Sequence, residues 1–339
     1  MGLNDTWLAE VTEEPLEPAL PICDAHHHLW GKRDHRVSPR YLLDDFRADA
    51  DTGHNIVSTV FVDSHAIYRA EGPEALKPVG EVEFAAGQGA MAASGAYGKT
   101  KVAAGIIGHA DMRLGAKAGA TLDAMVRASP ARFRGIRHCT TFDPGKDMPQ
   151  HRDAPRAGLM REESFLKGVA EIEKRGLVFE AHLWHPQIDE LTALARAFPS
   201  LSVVLDHCGT PLGIGPWKGR RDEVTAAWRK SMAELAKCEN VTVKLGGVNM
   251  MVNGHGWHEN PRPPTSDEMV AAAGPYIEES IALFGTERGM FESNYPAERN
   301  CVGFVPLWNF FKKLTKGYSA GEKARLYHDN AVRVFRIGA

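Results

Sequence analysis

The stretch Ile22-Cys-Asp-Ala-His-His-His-Leu-Trp30 sets three consecutive imidazoles behind an apolar run. On a β-strand the side chains alternate, so Asp24, His26 and His28 are expected on one face and His27 on the other. Two imidazoles aimed at one point from a single strand are the beginning of a divalent-metal site, and a further ligand must come from elsewhere. His182 is the candidate third ligand, with His207 as a fourth or as a partner of one. An ion held this way keeps a position for water and lowers its pKa to about 7. His27 is expected to pack toward helices.

Short apolar runs that could carry these residues alternate with helical patterns along the whole chain. The expected strands are Pro21–His27, Ile56–Asp63, Lys101–Gly108, Phe133–Cys139, Leu177–Leu183, Leu201–His207, Val241–Leu245 and Gly289–Ser293. Each is short, apolar and followed by polar or turn residues, as a parallel strand buried on both faces should be. Helical patterns occupy Arg40–Thr52, Pro78–Ser94, Gly119–Ser129, Glu162–Arg175, Gln187–Phe198, Asp222–Lys237 and Ser266–Phe284, and two more, Val302–Lys316 and Ser319–Val334, close the chain. In Asp222–Lys237, Val224, Trp228, Met232 and Leu235 recur at three- and four-residue steps behind an acidic start. Eight strands alternating with helices predict a (β/α)8 TIM barrel as one domain over 21–339, after an N-terminal extension over 1–20. No glycine-rich phosphate fingerprint follows the first strand, which argues against a dinucleotide fold.

Barrel enzymes place their sites at the C-terminal strand ends. Those ends read His26 and His28, Asp63 and His65, His109 and Asp111, Arg137 and His138, His182 and His185, His207, Lys244, then Glu292 to Asn294. Histidine at six of eight ends points to a site, because turns that serve structure alone favour Gly, Ser and Asp.

Composition excludes several alternatives. The formal net charge is −3, with 24% charged and 43% hydrophobic residues, which disfavours a nucleic-acid or anionic-membrane surface. No window approaches the ~20 apolar residues of a membrane span. Five scattered cysteines without a C-x-x-C pair suit reduced, buried thiols, and the acidic start lacks a signal-peptide core, so a cytoplasmic location is expected.

Together, Asp-x-His26-x-His28, the Leu-Asp-His207 strand, Val-Lys244-Leu-Gly-Gly and Met-Phe-Glu292-Ser-Asn294-Tyr-Pro resemble the amidohydrolase superfamily, in particular its amidohydrolase-2 branch of lactonase-like barrel hydrolases. The resemblance runs from about residue 20 to the C-terminus. It implies a hydrolase that opens a small lactone, ester or cyclic carbonyl compound, carboxylate- or aromatic-bearing, by water attack. A non-oxidative decarboxylase is the alternative on the same scaffold. The resemblance further implies His26 and His28 as site residues, His182 or else His185 on strand five, His207 as the group that polarises the carbonyl or holds water, and Arg137 as a clamp for a substrate carboxylate. It implies one divalent metal (zinc or manganese) or none.

The chain departs from the branch at the eighth strand, where Asn294 stands in place of the usual aspartate. Asn cannot take a proton, so the base stays open among Asp111, His109 and Glu292. A catalytically impaired binding protein is the other reading of Asn294. His65 and Tyr68 are expected to contact substrate. Lys244 either does the same or pairs with Asp206 and Glu180. Asp206 is expected to orient a ring nitrogen of its neighbour His207. Trp257, in the Gly- and Pro-rich loop after strand seven, is placed to stack on substrate. Residues 143–160 read as a second lid, and His35 and His151 as exposed loop residues. The expected partners are a small-molecule substrate and, by habit of the fold, a second copy in a homodimer.

Overall fold

The computed structural model describes residues 4–32, 38–145, 148–149, 153 and 155–338. His35 and His151 lie outside them. Eight parallel strands follow one another in chain order: β1 (Ile22–His27), β2 (Ile56–Val62), β3 (Lys101–Gly108), β4 (Phe133–Cys139), β5 (Val178–His182), β6 (Ser202–Leu205), β7 (Val241–Leu245) and β8 (Gly289–Phe291). The ring closes where Asn294 N–H donates to His26 O at 2.8 Å and His28 N–H to Tyr295 O at 2.7 Å. This is the (β/α)8 TIM barrel that the alternation predicts.

Apolar residues on the outer strand faces, such as Phe61, Ile106, Phe179 and Leu245, pack against helices that include Leu43–Ala50, Glu163–Glu173 and Ser266–Phe284. Inside the barrel, Val60, Val62, Ile107, Val178, Val204 and Met290 meet Phe335 and Ile337 from the C-terminal segment, which stops one end of the barrel. The other end carries the polar side chains. The N-terminal segment is tied down as well: Glu13 accepts from Ser266 N–H (2.7 Å) and from its hydroxyl (2.6 Å). Among the described residues no helix is long and apolar enough to cross a membrane.

Candidate active site

The pairing of β1 with β2 slips between Asp24 and His27. Such a bulge inserts an extra residue and re-aims the side chains beside it. Cys23 and Ala25 pack with Val60 and Val62 inside the barrel. Asp24 turns away and accepts from the backbone N–H (2.8 Å) and hydroxyl (2.6 Å) of Ser293. Strict alternation therefore misplaces Asp24, which does not share the face of His26 and His28. Burial raises its carboxyl to about 7. His27 goes to the helix side as expected, against Phe46 (ring centroids 4.5 Å apart) and within 2.8 Å of the Thr59 hydroxyl.

His26 and His28 are buried, and their Nε2 atoms lie 3.3 Å apart. His28 Nδ1 donates to Val62 O at 2.8 Å, which leaves its Nε2 as a lone pair. Burial, reinforced by Lys244 beside His26 and by His26 beside His28, lowers the pKa of both rings and keeps them neutral.

Glu292, just past β8, joins two of the imidazoles. Its Oε1 is 2.7 Å from His207 Nδ1, and its Oε2 is 3.0 Å from His26 Nδ1. Burial pushes this carboxyl up, but His207 and His26 outweigh burial and hold it at about 2. An ionised carboxylate on Nδ1 keeps the proton there and leaves His207 Nε2 as a base. The ring is seated by unusual backbone: His207 has φ +56° and Cys208 φ +50°. A Cβ on Gly247 (φ +62°) would come within 2.2 Å of His207 Nδ1, so the second glycine of Leu-Gly-Gly makes room for the imidazole.

A buried charge network lies beneath. Lys244 Nζ donates to Glu180 Oε1 at 2.5 Å and is 3.4 Å from Asp206 Oδ1 and 3.2 Å from His26 Nδ1. Asp206 is held well below its usual range because Lys244 and His26 overcome the effect of burial. Arg137 Nε donates to Asp63 Oδ1 at 2.8 Å, and Nη2 donates to the Asp63 carbonyl. Arg137 Nη1 is 3.4 Å from Asp206 Oδ2 and 3.3 Å from His26 Nε2. Arg137, expected to clamp a substrate carboxylate, is thus engaged by carboxylates of the barrel itself, and Lys244 takes the second of its two expected roles, pairing with Glu180 and Asp206.

The remaining expected residues divide. The His182 ring stands edge-on to His207 at 5.1 Å, with Nδ1 3.5 Å from Cys139 Sγ. Asn294 (φ +51°) is buried at the mouth, and its Nδ2 has no partner among the described residues. His65, stacked on Tyr68 at 5.8 Å, approaches His109 to 4.7 Å in a separate group that also holds Asp63 and Asp153. Asp111 is not brought to the imidazoles: both its oxygens bind the Arg113 guanidinium, at 2.8 and 2.9 Å. His185 packs on Trp217 at 4.8 Å and accepts from Leu212 N–H. Trp257 stacks on His255 at 5.4 Å and borders an outer groove with Glu10 and Pro261. Sequence reading missed Asp153, which lies in the loop after β4, where no periodicity marks a residue.

The first-strand imidazoles fit one divalent ion. A tetrahedral ion with bonds of ~2.1 Å spaces its ligand atoms ~3.4 Å apart, and the two Nε2 atoms are separated by 3.3 Å. An ion held there by His26 and His28 would take the place of Arg137 Nη1, which lies 3.3 Å from His26 Nε2.

Residues 23–337 match the family described as amidohydrolase, Amidohydro_2. The uncharacterised protein y4mH of Sinorhizobium fredii is 30% identical, over 94% of this chain and 99% of its own. The L-fucono-1,5-lactonase of Burkholderia ambifaria is 25% identical, over 93% of this chain and 95% of its own. A crystal structure of an amidohydrolase from Burkholderia multivorans with bound zinc has the same fold, with a TM-score of 0.69 at 19% identity, covering 94% of this chain and 99% of that one.

Proposed function

Because the chain belongs to the amidohydrolase-2 family, we propose that this amidohydrolase-type enzyme hydrolyses a small lactone, with sugar-acid 1,5-lactones as the substrate class. The likeness to an L-fucono-1,5-lactonase supports that class. The observation that carries the reading is Glu292 bridging the Nδ1 atoms of His207 and His26.

Glu292 does for His207 what the carboxylate of a catalytic triad does for its histidine: it fixes the tautomer and stabilises the imidazolium that forms. His207 Nε2 takes a proton from water as the oxygen attacks the lactone carbonyl. The ring C–O bond then breaks, and the same nitrogen returns the proton to the departing alkoxide, so one water is added and one hydroxy acid is formed. Asn294 Nδ2 donates to the carbonyl oxygen as it gains charge. Glu180 and Lys244 neutralise one another and hold His26 in place. When bound, a divalent ion on His26 and His28 would polarise the carbonyl or acidify the attacking water.

The carboxylate that the family usually carries at the position of Asn294 is, in this reading, replaced by Glu292 two residues earlier. The test is acid release from L-fucono-1,5-lactone and a panel of aldono-1,5-lactones, corrected for spontaneous opening. One equivalent of acid per lactone, with the hydroxy acid as product, is expected for at least one member. No acceleration across the panel sinks the lactone reading, and CO₂ release from an aromatic acid would turn it to decarboxylation.

A further inference from the structure

We propose that Trp228 is a positioning residue for His207: its indole N–H holds the strained turn on which the imidazole is mounted. The inference deepens the reading of His207 as the base and rests on it.

After β6 the backbone enters the left-handed region and stays there through His207 (φ +56°), Cys208 (φ +50°), Gly209 (φ +69°) and Thr210 (φ +43°). Glycine adopts that region freely, but the other three residues carry a Cβ, and such residues visit it singly and at a cost. A run of them persists only where the surroundings over-determine it. Bonds within the turn, from Gly209 N–H to Asp206 O (2.9 Å) and from Thr210 N–H to His207 O (2.8 Å), close it without fixing where it sits. Barrel residues hold its two ends. Glu292 Oε1 accepts from the His207 backbone N–H at 3.2 Å as well as from the ring, and Thr210 O accepts from His185 N–H at 3.3 Å.

The middle of the turn is held from the helix layer. Trp228, on the helix Arg221–Leu235, donates its Nε1–H to Cys208 O at 2.7 Å. Indole can only donate, and Trp228 is buried, so losing this bond would leave a donor and an acceptor unmet in the core. The Cys208 thiol adds only a weak contact, with Sγ 3.5 Å from Lys244 O. The indole is itself fixed, edge-on to Tyr276 at 5.0 Å, and the Tyr276 hydroxyl lies 2.8 Å from Thr225 Oγ1. Without the Trp228 bond, His207 and Cys208 can relax toward right-handed backbone. A change of backbone at His207 redirects its Cβ and takes Nδ1 off Glu292 Oε1.

The test reads the His207 Nδ1 proton by proton NMR of the whole protein with isotope-labelled histidine, without substrate. A ring proton held on a carboxylate resonates far downfield, and its loss in His207→Ala assigns it. Trp228→Phe keeps an aromatic ring but has no donor. In it the resonance is expected to shift upfield and broaden, and kcat for the lactone that wild type opens to fall ~10-fold or more with KM little changed. Met232→Ala opens a cavity on the same buried face of the helix and leaves the indole in place. It is expected to lower the melting temperature while keeping the resonance and kcat. If Trp228→Phe fails to fold, replacement of Trp228 alone by benzothienylalanine, which has sulfur in place of the indole N–H, is expected to give the same loss. A wild-type resonance in the folded Trp228 variant overturns the proposal, as does an equal change in Met232→Ala, which would make the effect one of packing. The resonance needs no lactone, so a failed substrate panel leaves this test standing. A wild-type protein without the resonance would contradict the Glu292–His207 bond, and the proposal with it.

Discussion

The chemistry of the site comes from how single side chains hold one another. Glu292→Gln keeps the shape of the side chain but removes the charge that holds the proton on His207 Nδ1. Activity is expected to fall by roughly 10²-fold or more, with kcat affected more than KM, as pH–rate profiles of the purified variant would show. A variant with unchanged kcat would remove Glu292 from the mechanism. Much of this centre was legible in the sequence: His-x-His, His207 and the Asn294 departure all stand in the mouth of the barrel. Glu292 was one of three candidate bases, and period-two alternation already puts it on the same face as Asn294. Its role as a bridge was not legible, because that depends on where β1, β6 and β8 meet. Arg137 looked like a substrate clamp because guanidinium suits carboxylates. The carboxylates it meets, Asp63 and Asp206, come from neighbouring strands.

At the scale of elements, β1 shows what a periodic reading captures and what it loses. Alternation placed His27 outside and His26 with His28, but one inserted residue turned Asp24 away. A bulge has no signature in a single apolar run. β3, β4 and β7 fall on the expected residues, whereas β6 ends at Leu205, before His207 and Cys208 enter left-handed backbone. The helix expected over Ser319–Val334 is interrupted by a π-turn at Arg325–Asp329. His27 provides a test of the division of β1. His27→Ala removes a buried ring between Phe46 and Thr59 and should cost ~2–4 kcal/mol of stability, measured by denaturant unfolding, while zinc content and kcat stay as in wild type. Loss of zinc from that variant would mean the outer face of the strand belongs to the site after all.

At the scale of the whole molecule, one buried carboxyl group, Glu298, links folding to pH. Glu298 is fully buried and accepts from Asn249 N–H at 3.1 Å, and burial raises its carboxyl to about 8 from 4.5. Between these values the unfolded chain has released a proton that the folded one retains, so this contribution favours folding below about pH 4.5 and is lost as the pH rises through about 8. Glu298→Gln is therefore expected to raise the melting temperature near pH 8 and to leave it unchanged near pH 4. An equal shift at both pH values would show that the effect is packing. The barrel itself was readable from eight short apolar runs separated by helices, because burial on both faces of each strand dictates that pattern. The tethering of residues 4–20 was not readable, because polar contacts such as Glu13 to Ser266 leave no hydrophobic period. The most direct test of the reaction centre is kcat/KM for the lactone that wild type opens, measured beside His207→Ala with matched circular dichroism and melting. The Glu292–His207 account predicts a fall of at least ~10²-fold carried by kcat; a folded variant with wild-type kcat/KM would contradict it.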